Sequence, residues 1–327
     1  MMIRWLLIIV CIVPMCACAN SSEKVDINKV LASAHTLYKN DNSGANADYI
    51  PALAKVDSEL FGIALVTTEG KLYTYGDVDE RFSIQSISKV FTLALALEQQ
   101  GADVVVEKVG VNATGLPFNS ILAIELNKAR SMNPLVNAGA IATMSLLNGD
   151  GKSKWQDVSN WYNQFANATL PVLEDVYESE SKTNDRNLAI AQLLKAHKRF
   201  YGDVAINLDL YTRQCSVGVT TKDLAIMAAP FANNGTHPIT KKQLMSDENV
   251  EHLLAVMTTA GLYETSGDWA YKVGLPAKSG VGGGIIAVAP GKFSIAVFSP
   301  RLDNAGNSVR AQRVIDYVAE QLNANVF

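Results

Sequence analysis

Segments patterned as strands stand at the two ends of this chain, and almost everything between them is patterned as helix. Residues 61–67 are β-rich, and Glu69-Gly70 supplies a turn into 71–75, which predicts a hairpin. A second strand pair, 283–289 and 293–299, is joined across Pro290-Gly291. Between the pairs, the stretch 83–273 is dominated by helical patterns, 187–198 and 221–233 among them. Residues 26–39 read as an amphipathic helix, with Ile27, Val30, Leu31, His35 and Leu37 near helical spacing. A closing helix is expected over 308–322, carrying Val309, Val314, Val318 and Leu322. Such an order predicts an α/β (α+β) fold with one sheet built from both termini and a helical lobe inserted into it. The sheet lobe spans about 26–80 and 274–327 and the helical lobe about 83–273, two lobes of one unit with no repeat or flexible linker between them.

Of the 327 residues, 48% are hydrophobic and 18% charged, the balance of an ordinary globular protein. The net charge of -4, with both signs mixed along the chain, excludes the basic footprint of a nucleic-acid binder. At the N-terminus, Arg4 precedes an apolar run over residues 5–15, and Ala17 and Ala19 fit an A-x-A cleavage site. Residues 1–19 are therefore expected to be a secretory signal peptide, with 20–327 the mature protein, secreted or periplasmic. The run is too short for a stable membrane span. Cys18 offers an alternative, lipid anchoring, although Met15 and Cys16 make a poor lipoprotein signal. After cleavage only Cys215 remains, so no intramolecular disulfide is expected, and its flanks read as an ordinary buried position.

The chemistry concentrates in Phe82-Ser83-Ile84-Gln85-Ser86-Ile87-Ser88-Lys89, a Ser-x-x-Lys at the front of an apolar helix. Residues i and i+3 share a helical face, so Lys89 can reach the Ser86 hydroxyl, and a helix N-terminus favours a developing alkoxide. Serine needs a base, and lysine serves as one only if burial or a nearby cation lowers its pKa. Lys278, in Lys278-Ser279-Gly280-Val281, supplies such a cation, and Ser-x-x-Lys with a late Lys-Ser-Gly is the signature of serine β-lactamases and penicillin-binding proteins. The competing readings are an N-cap for Ser86 and a merely strand-bending role for Gly280 and Gly282 to Gly284. Gly151-Lys152-Ser153 is no phosphate loop, because Leu146 stands where the motif requires glycine. His35, His197, His237 and His252 are scattered without zinc-like spacing, so no metal or organic cofactor is implied. Ser131-Met132-Asn133 has Met where the β-lactamase S-D-N motif has Asp.

From about Ser33 to the C-terminus the chain resembles the serine-dependent glutaminase family, whose fold is similar to that of β-lactamases and transpeptidases, with a mainly antiparallel sheet. The resemblance rests on Ala47-Asp48-Tyr49-Ile50-Pro51-Ala52-Leu53-Ala54, the Ser86 segment, and Asn133-Pro134-Leu135-Val136-Asn137-Ala138-Gly139-Ala140. It continues through Ser179-Glu180, Arg186-Asn187, Asp209-Leu210-Tyr211, Gln214-Cys215-Ser216, Gly261-Leu262-Tyr263 and Lys278-Ser279-Gly280-Val281. It implies hydrolysis of L-glutamine to L-glutamate and ammonia through an acyl-serine intermediate. Ser86 would attack, Lys89 would activate it, Tyr263 would share the proton transfers, and Tyr49 would line the same site. Asn137, Glu180, Asn187 and Tyr211 would hold the substrate, Glu180 by pairing its α-ammonium. The backbone N–H groups of Ser86 and Val281 would form an oxyanion hole, and Lys278, Ser279 and Gly280 would support it. A homo-oligomer, dimer or tetramer, is implied by resemblance alone. Taken singly, Asn137 and Asn187 read equally as helix caps, the tyrosines as packing residues and Glu180 as a solvated charge. Another serine acyl-transfer enzyme, a β-lactamase or peptidase, and a non-catalytic amino-acid-binding protein are the rival readings.

Overall fold

The computed structural model describes residues 25–126 and 132–327. The leader reading over 1–19 and Ser131 of the Ser-Met-Asn run lie outside the described residues. Seven strands occur among them: β1 (Gly62–Thr67), β2 (Leu72–Gly76), β3 (Phe82–Ser83), β4 (Gly218–Val219), β5 (Ala277–Gly280), β6 (Gly284–Ala289) and β7 (Phe293–Phe298). Five of them form one antiparallel sheet in the order β2-β1-β7-β6-β5. The first and last strand pairs meet where β1 lies against β7, with Ile63 opposite Val297. The two termini thus build the sheet together, as the order of patterns in the sequence requires.

The sheet is apolar on both faces because helices cover both. Side chains alternate between faces along a strand. Ile63, Leu65, Ile285, Ala287, Ile295 and Val297 pack with Val30, Leu31, Val314 and Val318 of the terminal helices Ile27–Tyr38 and Val309–Gln321. Their neighbours Ala64, Val66, Ile286, Val288, Ala296 and Phe298 face the larger core, which includes Leu224 and Ala225 of the helix Thr221–Ala232. The terminal helices begin where capping chemistry places them. Asp26 accepts from the N–H of Asn28 at 3.0 Å, and Ser308 from that of Ala311 at 3.3 Å.

The helical stretch differs from expectation in one respect. Its entrance, β3, pairs with β4 from within the stretch, Phe82 lying opposite Val219. Two-residue strands are too short to show a period of two, so no pattern marks them. This small pairing fixes the entrance to a deeply buried helix, Ser88–Gln100, whose residues from Ser88 to Leu97 are all buried. A helix apolar all round is a core helix. Its start lies against β5, at the seam between sheet and helical body.

Candidate active site

Ser86 lies in the 3₁₀ turn Gln85–Ile87, immediately before that helix rather than as its first residue. No side-chain cap bond is made at either the turn or the helix start, so the N-cap reading of Ser86 fails. Gln85 adopts φ +49°, a left-handed conformation unusual for a non-glycine residue and suited to a sharp turn that presents its successor. β5 and the loop after it press closely on this turn. A Cβ on Gly280 would stand 2.9 Å from the Ile84 carbonyl oxygen and 3.3 Å from the Ser86 nitrogen. One on Gly282 would stand 2.6 Å from the Ser83 carbonyl oxygen. These two glycines let backbone meet backbone beside Ser86, a more specific role than bending a strand.

Lys89 is 1% exposed, and its amine donates to Asn137 Oδ1 at 2.7 Å. Burial brings its pKa down to about 8, against the opposing pull of Cys215 and Glu180. Of the two expected causes, burial is the leading one, and Lys278 is not among those acting on Lys89. Lys278 is itself fully buried, donates to the carbonyls of Gly261 at 2.9 Å and Ser279 at 2.7 Å, and lies 4.0 Å from the Tyr263 ring centroid. Burial, and then repulsion from Lys89, hold it well below the usual lysine value.

Tyr263 is the neighbour of this lysine. Burial pushes its phenol up to about 12, and the side chains of Ser86 and Ser279 only partly offset this. The tyrosine is therefore a protonated phenol at neutral pH. Its backbone is left-handed, with φ +57°, and its hydroxyl donates to the Ser279 carbonyl at 3.3 Å.

Outside this buried layer a cleft of about 290 Å³ is lined by Tyr49, Ser86, Asn137, Glu180, Asn187, Tyr211 and Val281. Lys89, Tyr263, Lys278, Ser279 and Gly280 are buried around the Ser86 turn. Tyr49 is the outer wall, 52% exposed, and the N–H of nearby Ala52 donates to Ser179 Oγ beside Glu180 at 3.3 Å. Glu180 is no solvated charge. It is 8% exposed, accepts from Gln85 Nε2 at 3.2 Å, and burial raises its pKa to about 7. Tyr211, 2% exposed on the helix Val204–Cys215, has a phenol pushed well above its usual value by burial.

Neither asparagine caps a helix. Asn137 opens the helix Asn137–Leu146, capped at Val136 with no side-chain bond, and Asn187 lies within the helix Asp185–Ala196. Gly139 fixes the approach of the first helix, since a Cβ there would stand 1.8 Å from the Asn133 carbonyl oxygen. Asn137 Nδ2 donates to Asn187 Oδ1 at 2.9 Å, and Asn187 Nδ2 to Asn184 Oδ1 at 2.8 Å. Gln85, Asn184, Phe118, Asn119, Arg186 and Cys215 also line the cleft, and sequence reasoning gave none of them a role there. Gln85 had a usable signal, as the neighbour of Ser86. Cys215 is buried as expected, but against the site.

The terminal-strand sheet, the helical body and the cleft at their seam define an α/β fold of the β-lactamase-like class. Residues 44–327 match the family described as Glutaminase. The glutaminase of Colwellia psychrerythraea (strain 34H) is 69% identical over 310 residues, 94% of this chain and 100% of its own length. A glutaminase of Mycobacterium ulcerans (strain Agy99) is 50% identical over 92% of this chain and 94% of its own. Among solved structures, the probable glutaminase YbaS superposes with a TM-score of 0.91 at 48% identity, covering 93% of this chain and 99% of its own. A probable glutaminase from Bacillus subtilis complexed with 6-diazo-5-oxo-L-norleucine gives a TM-score of 0.85 at 30% identity, over 93% and 98%. The chain belongs to the glutaminase family and hydrolyses L-glutamine to L-glutamate and ammonia.

Proposed function

We propose that this glutaminase works through an acyl-serine intermediate on Ser86, with Lys89 as the base. The observation that carries the reading is a lysine one turn beyond a cleft-lining serine, 1% exposed and with its pKa brought to about 8, so that the neutral amine is accessible near neutral pH. A neutral amine has two N–H bonds and one lone pair. Asn137 Oδ1 occupies an N–H, which leaves the lone pair for the Ser86 proton.

The serine oxygen attacks the side-chain amide carbon of glutamine as its proton passes to Lys89. The tetrahedral oxyanion is met by the N–H groups of Ser86 and Val281, which contribute roughly 3 kcal/mol each. Collapse breaks the C–N bond. The leaving nitrogen takes a proton from the Tyr263 hydroxyl, and the phenolate left behind, a strong base, takes back the proton that Lys89 received from Ser86. Water, deprotonated by the same lysine, then attacks the ester carbon; the ester C–O bond breaks, the Ser86 oxygen takes the proton back from Lys89, and glutamate is released. Glu180 pairs the α-ammonium of glutamine, while Asn137, Asn187 and Tyr211 supply polar contacts and Tyr49 closes the outer wall.

The test is intact-mass and peptide mapping after reaction with 6-diazo-5-oxo-L-norleucine. A single adduct on Ser86, absent in Ser86→Ala, is expected. An adduct elsewhere, or ammonia release by Ser86→Ala at the wild-type rate, overturns the reading. The apolar run and Ala17 and Ala19 support export to the periplasm or medium after cleavage near Ala19, with anchoring at Cys18 as the alternative. N-terminal sequencing of the mature chain separates these. The family likeness supports a homo-oligomer, which sedimentation would size.

A further inference from the structure

We infer that Thr212 and Asn184 are positioning residues that decide which atom of Asn137 faces the Lys89 amine. The inference rests on the proposed role of Lys89 as base. An amide side chain accepts at one end and donates at the other, so a row of them has a direction only if one end is fixed. Thr212 is that fixed end. It is buried in the helix Val204–Cys215, and its hydroxyl donates to the Leu208 carbonyl at 3.1 Å. A hydroxyl has one proton, so towards Asn184 this oxygen can only accept.

The direction then propagates. Asn184 presents Nδ2 to Thr212 Oγ1 at 2.8 Å, which leaves its Oδ1 to accept from Asn187 Nδ2 at 2.8 Å. Asn187 Oδ1 must therefore face Asn137 Nδ2, at 2.9 Å. Asn137 is left with Oδ1 for Lys89, at 2.7 Å. A second observation points the same way. Asn184 occupies the N-cap position of the helix Asp185–Ala196, where an asparagine ordinarily accepts from a first-turn N–H, yet its side chain makes no cap bond. Its hydrogen-bonding capacity is committed to the row instead.

Reversing the row would turn Asn137 Nδ2 towards Lys89. That N–H would occupy the lone pair of the neutral amine, the feature a base needs, and it would disfavour the ammonium form. The other groups facing Lys89 are Glu180, Cys215, the Tyr211 ring and Lys278, with Tyr263 beyond it. They are the same in wild type and variant, so a changed pH profile reports on Asn137.

The experiment compares Thr212→Val, which keeps the shape and removes the hydroxyl, with Thr212→Ser, which keeps the hydroxyl. Both are assayed for ammonia release across pH alongside their Tm values. Thr212→Val is expected to lower the kcat/KM plateau on the order of tenfold, the scale of one lost hydrogen bond, and to move its acid limb to lower pH. Thr212→Ser is expected to stay within about twofold of wild type in rate, because the accepting oxygen survives. A wild-type plateau and limb in Thr212→Val, or equal impairment in Thr212→Ser, overturns the inference. If Thr212→Val does not fold, Asn184→Ala removes the same link and is expected to give the same limb shift, with an unmoved limb counting against the inference. Lys89→Gln separates the two claims, because activity retained there refutes the lysine base itself, whatever the threonine variants do.

Discussion

Glutamate at position 180 should make the ligand-free enzyme less stable than its amide isostere, and the size of the effect follows from its surroundings. The carboxyl is 8% exposed, and burial raises its pKa from 4.5 to about 7, although Gln85 and Lys89 favour the charged form. Between those values the folded chain holds a proton that the unfolded chain has released. Stability therefore falls as pH rises through that window, and the whole penalty is present above about pH 7. From 4.5 to about 7 corresponds to roughly 3 kcal/mol. Glu180→Gln keeps the size and an oxygen to accept from Gln85 Nε2, and it removes the charge. Chemical unfolding of ligand-free wild type and variant should show the variant more stable by about 2–3 kcal/mol at pH 8. The two should converge only as pH falls below 4.5, where the carboxyl becomes protonated in both states. Glutamine should stabilise wild type strongly at pH 8 and the variant weakly, since its ammonium would lose its partner. KM of the variant should rise on the order of a hundredfold, the effect of losing one buried charge-assisted pair. A variant less stable than wild type at pH 8, or a difference that ignores pH, refutes the reasoning.

Three further outcomes are expected. On the acyl-serine reading Lys89 acts as the neutral amine, and with its pKa at about 8, kcat/KM should climb as pH rises through that region, while Lys89→Arg, which stays protonated, should release no measurable ammonia and remain folded. Gly280→Ala places a Cβ 2.9 Å from the Ile84 carbonyl oxygen and 3.3 Å from the Ser86 nitrogen, so steady-state kinetics should show kcat reduced about tenfold or more, with KM changed less. Phe91→Ala removes a fully buried ring packed against Tyr162, Phe165 and Phe231, and urea unfolding should show a loss of about 3–5 kcal/mol.

Local signals carried much of this fold. The helix over 26–39 is Ile27–Tyr38 and that over 308–322 is Val309–Gln321, because Asp26 and Ser308 cap them and their apolar residues repeat at helical spacing. The hairpins over 61–75 and 283–299 were equally plain, since glycine turns bound runs of β-branched residues. The helix expected at 187–198 is Asp185–Ala196, two residues earlier, its start lying where the capping-type Asn184 stands. Within the site, Ser86 and Lys89 could be put forward from the sequence because their pairing is a three-residue spacing, here running from the 3₁₀ turn into the helix. Gln85 and Asn184 were not, because what matters about each is a partner on another element: Glu180 on the helix Glu174–Ser181 for one and Thr212 for the other. Of the two causes the sequence offered for a lowered lysine pKa, burial leads, and Lys278 is not among those acting on Lys89. A nearby cation can be guessed from a motif, whereas complete burial is a property of the packed whole.

On the acyl-serine reading, these buried charges also couple substrate to base. Glu180 opposes the lowering of Lys89, because its negative charge favours the ammonium form of the lysine. An arriving glutamine pairs its own ammonium with that carboxylate, which screens the pull on Lys89 and lets the lysine release its proton more readily. Substrate binding would then complete the activation of the base that attacks it. In the empty site Lys89 can hold its proton while Asn137 Oδ1 accepts from it, so the hydroxyl of Ser86 stays a weak nucleophile towards water and other electrophiles. The prediction that follows is kinetic. The acid limb of kcat, which reports the substrate complex, should lie at lower pH than the limb that Lys89 contributes to kcat/KM, and Glu180→Gln should bring the two limbs together. Coincident limbs in wild type would mean that the carboxylate only holds the substrate and has no part in setting the base.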